Sequence, residues 1–284
     1  MDINTNYTKT LGPKSAKFIL SLYDDGKTIF TIDEASKYVN LEGQGLQKFL
    51  SPLIRKGILN RLITGLYIIV PFELGNTTEF LGNPYVVARE IIRSKQKSAQ
   101  QQYFISHASA FELHQMITQP HMEVYTTTSK QIKEKISIQG MRFHFITAKK
   151  QNLFGFKKHW VNKSEAILVS DLERTIIDGL KLPEYCGGIN EVAKGLWIKR
   201  KEMSIKKLTE YAEKIDSGVV YRRLGYLLEL HKMATEQELL NLKKHLTNSY
   251  MILDPTQINE GKYLAKWKLR LNISEAELLS SLRT

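Results

Sequence analysis

A single cysteine, Cys186, stands in 284 residues. It can close no internal disulfide and supply no multi-thiol metal site, and such usage fits a reducing, cytoplasmic setting. Nowhere do about eighteen apolar residues run together, so no membrane-spanning helix is expected. The opening "MDINTNYTKT" has no apolar stretch followed by a small-residue cleavage site, and a signal peptide is not expected either. The phosphate-loop pattern GxxxxGK, the dinucleotide pattern GxGxxG, the nucleophile-elbow pattern GxSxG and the zinc pattern HExxH are all missing. Nucleotide-dependent and common hydrolytic mechanisms therefore lack support, and no cofactor, metal or catalytic residue is expected. Acidic residues are scarce, at 29 against 41 lysines and arginines, which leaves a net charge of +12.

That excess of positive charge favours polyanionic partners, either nucleic acid or an acidic protein surface. It is unevenly placed: residues 1–75 hold 9 basic and 7 acidic residues, so +10 of the +12 arises later in the chain. The densest stretch runs from Lys130 to Lys163, with nine basic residues against one acid, Glu134. Phe143, Phe145, Phe154, Phe156 and Trp160 interleave with it. Strands with exposed lysines on one side and buried aromatics on the other would offer phosphates a basic surface, with Lys149, Lys150, Lys157 and Lys158 as its candidates. A sheet edge guarded by lysine is the other reading.

The first 75 residues predict three helices and a β-hairpin. Phe18, Ile19 and Leu22 mark one face of a helix from Pro13 to Tyr23, stopped by "DDGK". Thr31 and Glu34 form a capping-box pattern ahead of a short second helix carrying Ala35 and Tyr38 or Val39 inward. A third helix, from Glu42 to Lys56, has an apolar stripe of Leu46, Phe49, Leu50, Leu53 and Ile54, and Gly57 ends it. Pro52 lies within it, lacks the amide that would bond the Lys48 carbonyl, and is expected to kink or split it. "ILNRL" and "LYIIV", joined by "ITG", predict a hairpin. This order is that of a winged helix-turn-helix.

Opposite the stripe, the third helix presents Gln44, Gln47, Lys48, Ser51 and Arg55. Gln and Arg read adenine and guanine edges, while Lys and Ser hold backbone oxygens. Arg61, with Asn60, sits in the hairpin where a wing would meet an adjacent groove. A solvated face, or one that binds protein, is the alternative.

After the turn-rich "PFELGNTTEFLGNP", residues 76–284 predict a larger mixed α/β domain with a helical tail, which makes the whole chain α+β. "PYVVAREII" is a helix with Pro84 in its first turn, followed by the polar run "RSKQKSAQQQ" as a loop or frayed helix end. Ser106 precedes a helical stretch with Ala110, Phe111 and Leu113. "MEVYTTTS", "MRFHFITA" and "ILVS" read as strands, with a looser "NLFGFKKHWV" between them. Five helices follow from Asp171, and "YMILDP" with "YLAKWKLRLN" predicts a closing β-pair.

Two groupings invite a chemical reading. His107 and His114 are seven residues apart, whereas helical metal pairs use three or four, so structural roles are expected. Asp171, Glu173 and Asp178 in "SDLERTIIDGL" could resemble a metal-dependent nuclease, yet Ser170 with Glu173 also makes a capping box and Arg174 with Asp178 an i, i+4 pair. Helix initiation is the expected use.

Across most of residues 14–200, "LIRKGILNRLITGLYII", "YFISHASAFELHQM", "FHFI", "LFGF" and above all "ILVSDLERTIIDGLKLPEYCGGINEVAKGL" give a chain that resembles the antitoxin and transcriptional-regulator component of AbiE-type (type IV) toxin–antitoxin systems, the AbiEi-like family. The resemblance implies a protein of abortive phage infection with two jobs. Its winged helix would repress its own operon at inverted repeats, self-associating on the DNA, and its C-terminal domain would counter a nucleotidyltransferase toxin without a stable complex. A nuclease targeted by a winged helix and a repressor without any toxin are the rivals.

Overall fold

The computed structural model describes residues 10–75, 79–95, 103–117, 122–133, 135–163 and 165–280. The chain begins with α1 (Pro13–Asp24), β1 (Ile29–Thr31), α2 (Ile32–Val39), α3 (Gly43–Arg55), β2 (Leu59–Ile63), β3 (Leu66–Ile69) and α4 (Pro84–Ser94). It continues with β4 (Tyr103–Ile105), α5 (His107–Leu113), β5 (Glu123–Thr128), β6 (Lys135–Ile138), β7 (Met141–Thr147), β8 (Phe156–Trp160) and β9 (Ala166–Ser170). Last come α6 (Leu172–Lys181), α7 (Ile189–Ile198), α8 (Ile205–Ile215), α9 (Gly218–Leu230), α10 (Glu236–Lys243), β10 (Met251–Ile252), β11 (Lys262–Leu264), β12 (Leu269–Leu271) and α11 (Glu275–Ser280). With three sheets among these helices the fold is mixed α+β. Most of the polar run "RSKQKSAQQQ" lies outside the described residues.

Two compact units emerge: residues 1–101 with 135–143 and 160–167, and the rest. In the first, α1 starts on Pro13, whose missing amide costs nothing at a helix start, and buries Phe18, Ile19 and Leu22. The capping box ahead of α2 is present: the Glu34 amide donates to Thr31 Oγ1 at 3.2 Å and the Thr31 amide to Glu34 Oε2 at 2.8 Å. α3 buries Leu46, Leu50 and Leu53, and Gly57, at φ +63°, turns the chain away from it. Phe18 meets Phe30 and Phe49 edge-on, each at 5.5 Å, and Phe30 stacks on Tyr67 at 5.8 Å. The sheet of this unit has order β1-β3-β2, all antiparallel, with Ile29 opposite Ile68 and Leu59 opposite Ile69. α4, capped by Asn83, packs on β1.

Three expectations need correcting here. Pro52 does not split α3, which continues through it and closes its last turn with the Lys56 amide on the Pro52 carbonyl at 3.0 Å. Only one bond is lost, that from position 52 to the Lys48 carbonyl. Asn60 is buried and donates to the Phe80 carbonyl at 3.0 Å, so it serves the fold. Finally, β1, a segment whose local sequence signals only the cap of α2, joins the hairpin as a third strand.

The second unit is built around α6, which packs against α5, α7, α8 and α9. Ile176, Ile177 and Leu180 are fully buried in its core, and Gly179 lets Phe111 and Val192 close in. Within this unit the sheet has the order β7-β5-β4-β9-β8, with β4 antiparallel to β5 and parallel to β9. Trp267 is also fully buried; its indole donates to Glu229 Oε2 at 2.7 Å, and it lies flush on Gly225 of α9. The expected closing β-pair is a three-stranded sheet of order β10-β12-β11, in which β10 runs parallel to β12.

The capping box expected at Ser170 is not formed. Ser170 still belongs to β9, where its hydroxyl meets Thr175 Oγ1 at 2.7 Å, and Asp171 caps α6 by accepting from the Arg174 amide at 2.9 Å. No helix among the described residues is long and apolar enough to cross a membrane.

Candidate functional site

Two surfaces carry recognisable chemistry, one in each unit. In the first, α3 turns its apolar stripe into the core, which forces Gln44, Gln47, Lys48, Ser51 and Arg55 onto the solvent side. All five are exposed, and with Pro52 they line one shallow groove. The Ser51 hydroxyl donates to the Gln47 carbonyl at 2.7 Å, so its oxygen remains an acceptor. Arg61 is exposed on β2 and donates to Thr64 Oγ1 at 3.0 Å, across the bulged end of the hairpin. The carboxylate-poor face read from the sequence is thus assembled on one helix.

The lysine strip fares differently. Phe143 and Phe145 of β7 are buried as expected. On β8, however, Phe156 and Trp160 are exposed, at 38% and 57%. β8 is an edge strand of its sheet, and alternation sends Lys157 and Lys158 to opposite faces. Lys149 and Lys150, both exposed, stand at the 3-10 turn Lys150–Asn152. The four lysines are solvent-facing, yet they do not form a single face backed by buried aromatics.

The three carboxylates of the nuclease-like reading are all engaged, Asp171 and Glu173 sharing Lys207 and Asp178 pairing with Arg174. Besides capping α6, Asp171 accepts from the Tyr211 hydroxyl at 2.9 Å and pairs with Lys207 at 3.1 Å. Glu173 accepts from the Ser204 amide and from Lys207, both at 2.9 Å. Burial raises the Glu173 pKa, but these hydrogen bonds outweigh it and hold the carboxyl below its ordinary value. Desolvation works against the Lys207 charge, and hydrogen bonds to Glu173 and Asp171 overcome it, raising its pKa. Asp178 pairs with Arg174 at 2.9 Å. Among the described residues, no group of three His, Cys, Asp or Glu is placed to hold a metal ion.

The second surface is a pocket of about 460 Å³ within the second unit, lined by residues from segments that no local spacing links. His107 lines it, 2% exposed and at φ +49°, a left-handed conformation uncommon outside glycine. Thr127 Oγ1 donates to Ser106 Oγ at 2.8 Å, and Ser106 Oγ lies 2.9 Å from His107 Nδ1. The Ser106 oxygen can accept from Thr127 and either donate to Nδ1 or accept from it, so both neutral tautomers of the ring satisfy this chain. Burial lowers the His107 pKa to about 4, so the ring is neutral near pH 7. Nε2 has no partner among the described residues, and neither does Asp178 Oδ2. Arg174, Lys149, Lys181 and Lys214 also line the pocket. His114, by contrast, bonds the Ser170 carbonyl at 2.6 Å and has the structural role expected of it. Cys186 is buried, which pushes its thiol well above the ordinary value.

No protein-family model matches this chain, and no curated protein does. The solved crystal structure of the RV2827C protein from Mycobacterium tuberculosis is similar in fold, at 13% sequence identity, with a TM-score of 0.71 over 99% of this chain and 98% of that one.

Proposed function

We propose that this protein is a sequence-specific DNA-binding repressor that also serves as the antitoxin of an AbiE-type toxin–antitoxin system. The observation that carries the DNA-binding half is the exposed, carboxylate-free row Gln44, Gln47, Lys48, Ser51 and Arg55 on α3. The order α1-β1-α2-α3-β2-β3, with β1 against β3 and a hairpin after α3, supports reading this region as a winged helix-turn-helix. In that reading α3 enters the major groove, Gln47 and Arg55 meet base edges, Lys48 and Ser51 meet phosphates, and Arg61 reaches from the hairpin toward the adjacent groove. Inverted repeats in the operon promoter are the target, bound by self-associated copies. Lys149, Lys150, Lys157 and Lys158 add sequence-independent attraction.

The antitoxin half rests on the resemblance of residues 14–200, centred on "SDLERTIIDGL", which in this structure is the central helix of its unit. The partner would be a nucleotidyltransferase toxin in the same cytoplasm, countered without a stable complex. The test uses the full chain in two assays. Arg55→Ala and Gln47→Ala each weaken promoter binding by about 1–3 kcal/mol in a gel-shift titration, as loss of a base contact requires. Both variants still rescue growth when the toxin encoded beside this gene is induced. Unchanged promoter affinity in both variants would remove α3 from the DNA, and failure of the wild-type chain to rescue would remove the antitoxin role.

A further inference from the structure

We propose that the pocket of the second unit binds a small phosphorylated molecule such as a sugar phosphate, through the immobilised guanidinium of Arg174 and the lysines around it. The pocket has an anion anchor built before any ligand arrives. Arg174, 2% exposed, donates Nε to Asp178 Oδ1 at 2.9 Å and Nη1 to the Asn152 and Phe154 carbonyls at 2.9 and 3.3 Å. Its guanidinium lies 5.1 Å from the Phe104 ring centroid and 4.5 Å from that of Phe154. Nη2 alone makes no hydrogen bond among the described residues. A guanidinium so fixed loses little entropy on binding, and its free edge suits a phosphate oxygen.

The charge around that anchor points the same way. Lys149, Lys181 and Lys214 line the pocket with Arg174, against Asp178 and Asp216. With His107 neutral this leaves two positive charges in excess, the charge of a phosphate dianion reversed. His107 Nε2 and Asp178 Oδ2, both unpartnered among the described residues, have almost no accessible surface of their own and stand behind the pocket wall, so the ligand contacts fall to the basic side chains. The volume is in the range of small-molecule sites. Apart from His107 no ring lines the pocket, so a base would find no stacking platform there, which favours a sugar phosphate.

The experiment is isothermal titration of the full-length protein with ribose 5-phosphate, inorganic phosphate and ribose. Ribose 5-phosphate binds saturably and more tightly than inorganic phosphate, and ribose alone binds more weakly than either. The double variant Lys181→Gln with Lys214→Gln, at sites that are half-buried and exposed, weakens both phosphate probes by about tenfold or more, the worth of a charge-assisted hydrogen bond. The proposal is overturned by absence of saturable binding up to about 10 mM, a level at which no organised site remains, or by affinities that the double variant leaves intact. It is overturned equally if a short DNA duplex displaces ribose 5-phosphate and itself binds less well to the double variant, for then the pocket takes a nucleic-acid backbone.

Discussion

Replacing His107 with asparagine changes how stability responds to acid, and the size of that change follows from burial. In the unfolded chain the imidazole takes up a proton near pH 6.5, whereas in the folded state burial holds it neutral down to about pH 4. Between those values the unfolded chain binds a proton that the folded chain does not, so stability rises with pH and is lost as pH falls from 6.5 to 4. At about 1.4 kcal/mol per pH unit the loss from this residue reaches about 3 kcal/mol and then stops growing. Asparagine is suited to the test because it tolerates the left-handed backbone at φ +49° better than other non-glycine residues. Burial also lowers the pKa values of His114 and His231, but these stay in both proteins and cancel in the comparison. Urea unfolding of wild type and variant at half-unit steps from pH 4 to 7.5 gives the difference directly. The gap should narrow, or reverse in favour of asparagine, by about 3 kcal/mol across the window. Parallel pH profiles would refute the reasoning, since the histidine would then be solvated or charged in the folded state.

Other consequences can be checked more simply. Gly225→Ala would put a Cβ 2.0 Å from Trp267 Cζ3, so urea unfolding should show a loss of about 3 kcal/mol or more. Ile177→Asp places a charge at a fully buried site of α6 and should leave little folded protein by circular dichroism, while Asp171→Asn keeps a good capping residue and should cost about 1 kcal/mol or less. Changing Lys149, Lys150, Lys157 and Lys158 together to glutamine should flatten the slope of log affinity for DNA against log salt by about one unit for each lysine on a phosphate. Because Lys157 and Lys158 leave β8 on opposite faces, a total of about three is expected, and an unchanged slope would assign all four to bulk solvent.

Much of the α-helical framework was legible from local signals. Thr31 with Glu34 marks the start of α2, Pro13 that of α1 and Gly57 the end of α3, because caps and apolar periodicity act over a few residues. Ser170 and Asp171 show the limit of that reading: both can cap, and only the pairing of Ser170 into β9 decides for Asp171. β1 is three residues long and runs straight into a cap, so its pairing with β3 leaves no periodic trace. The α3 face was visible since one helix carries it. The pocket was not, since His107, Lys149, Arg174 and Lys214 come from separate segments that no spacing links. The Arg174 and Asp178 pair was read correctly as i, i+4, but a sequence cannot show that two aromatic rings and two carbonyls would immobilise the arginine.

The position of β8 has a consequence for how copies of this chain behave toward one another. An edge strand presents a row of backbone donors and acceptors to any strand that approaches, and here that row is flanked by the exposed rings of Phe156 and Trp160. Lys157 and Lys158 project from the two faces of the same five residues, so a second copy attempting to extend the sheet would have to bring like charges together. The lysines therefore oppose edge-to-edge association of copies, and stripping their charge should let sheet-extended oligomers grow.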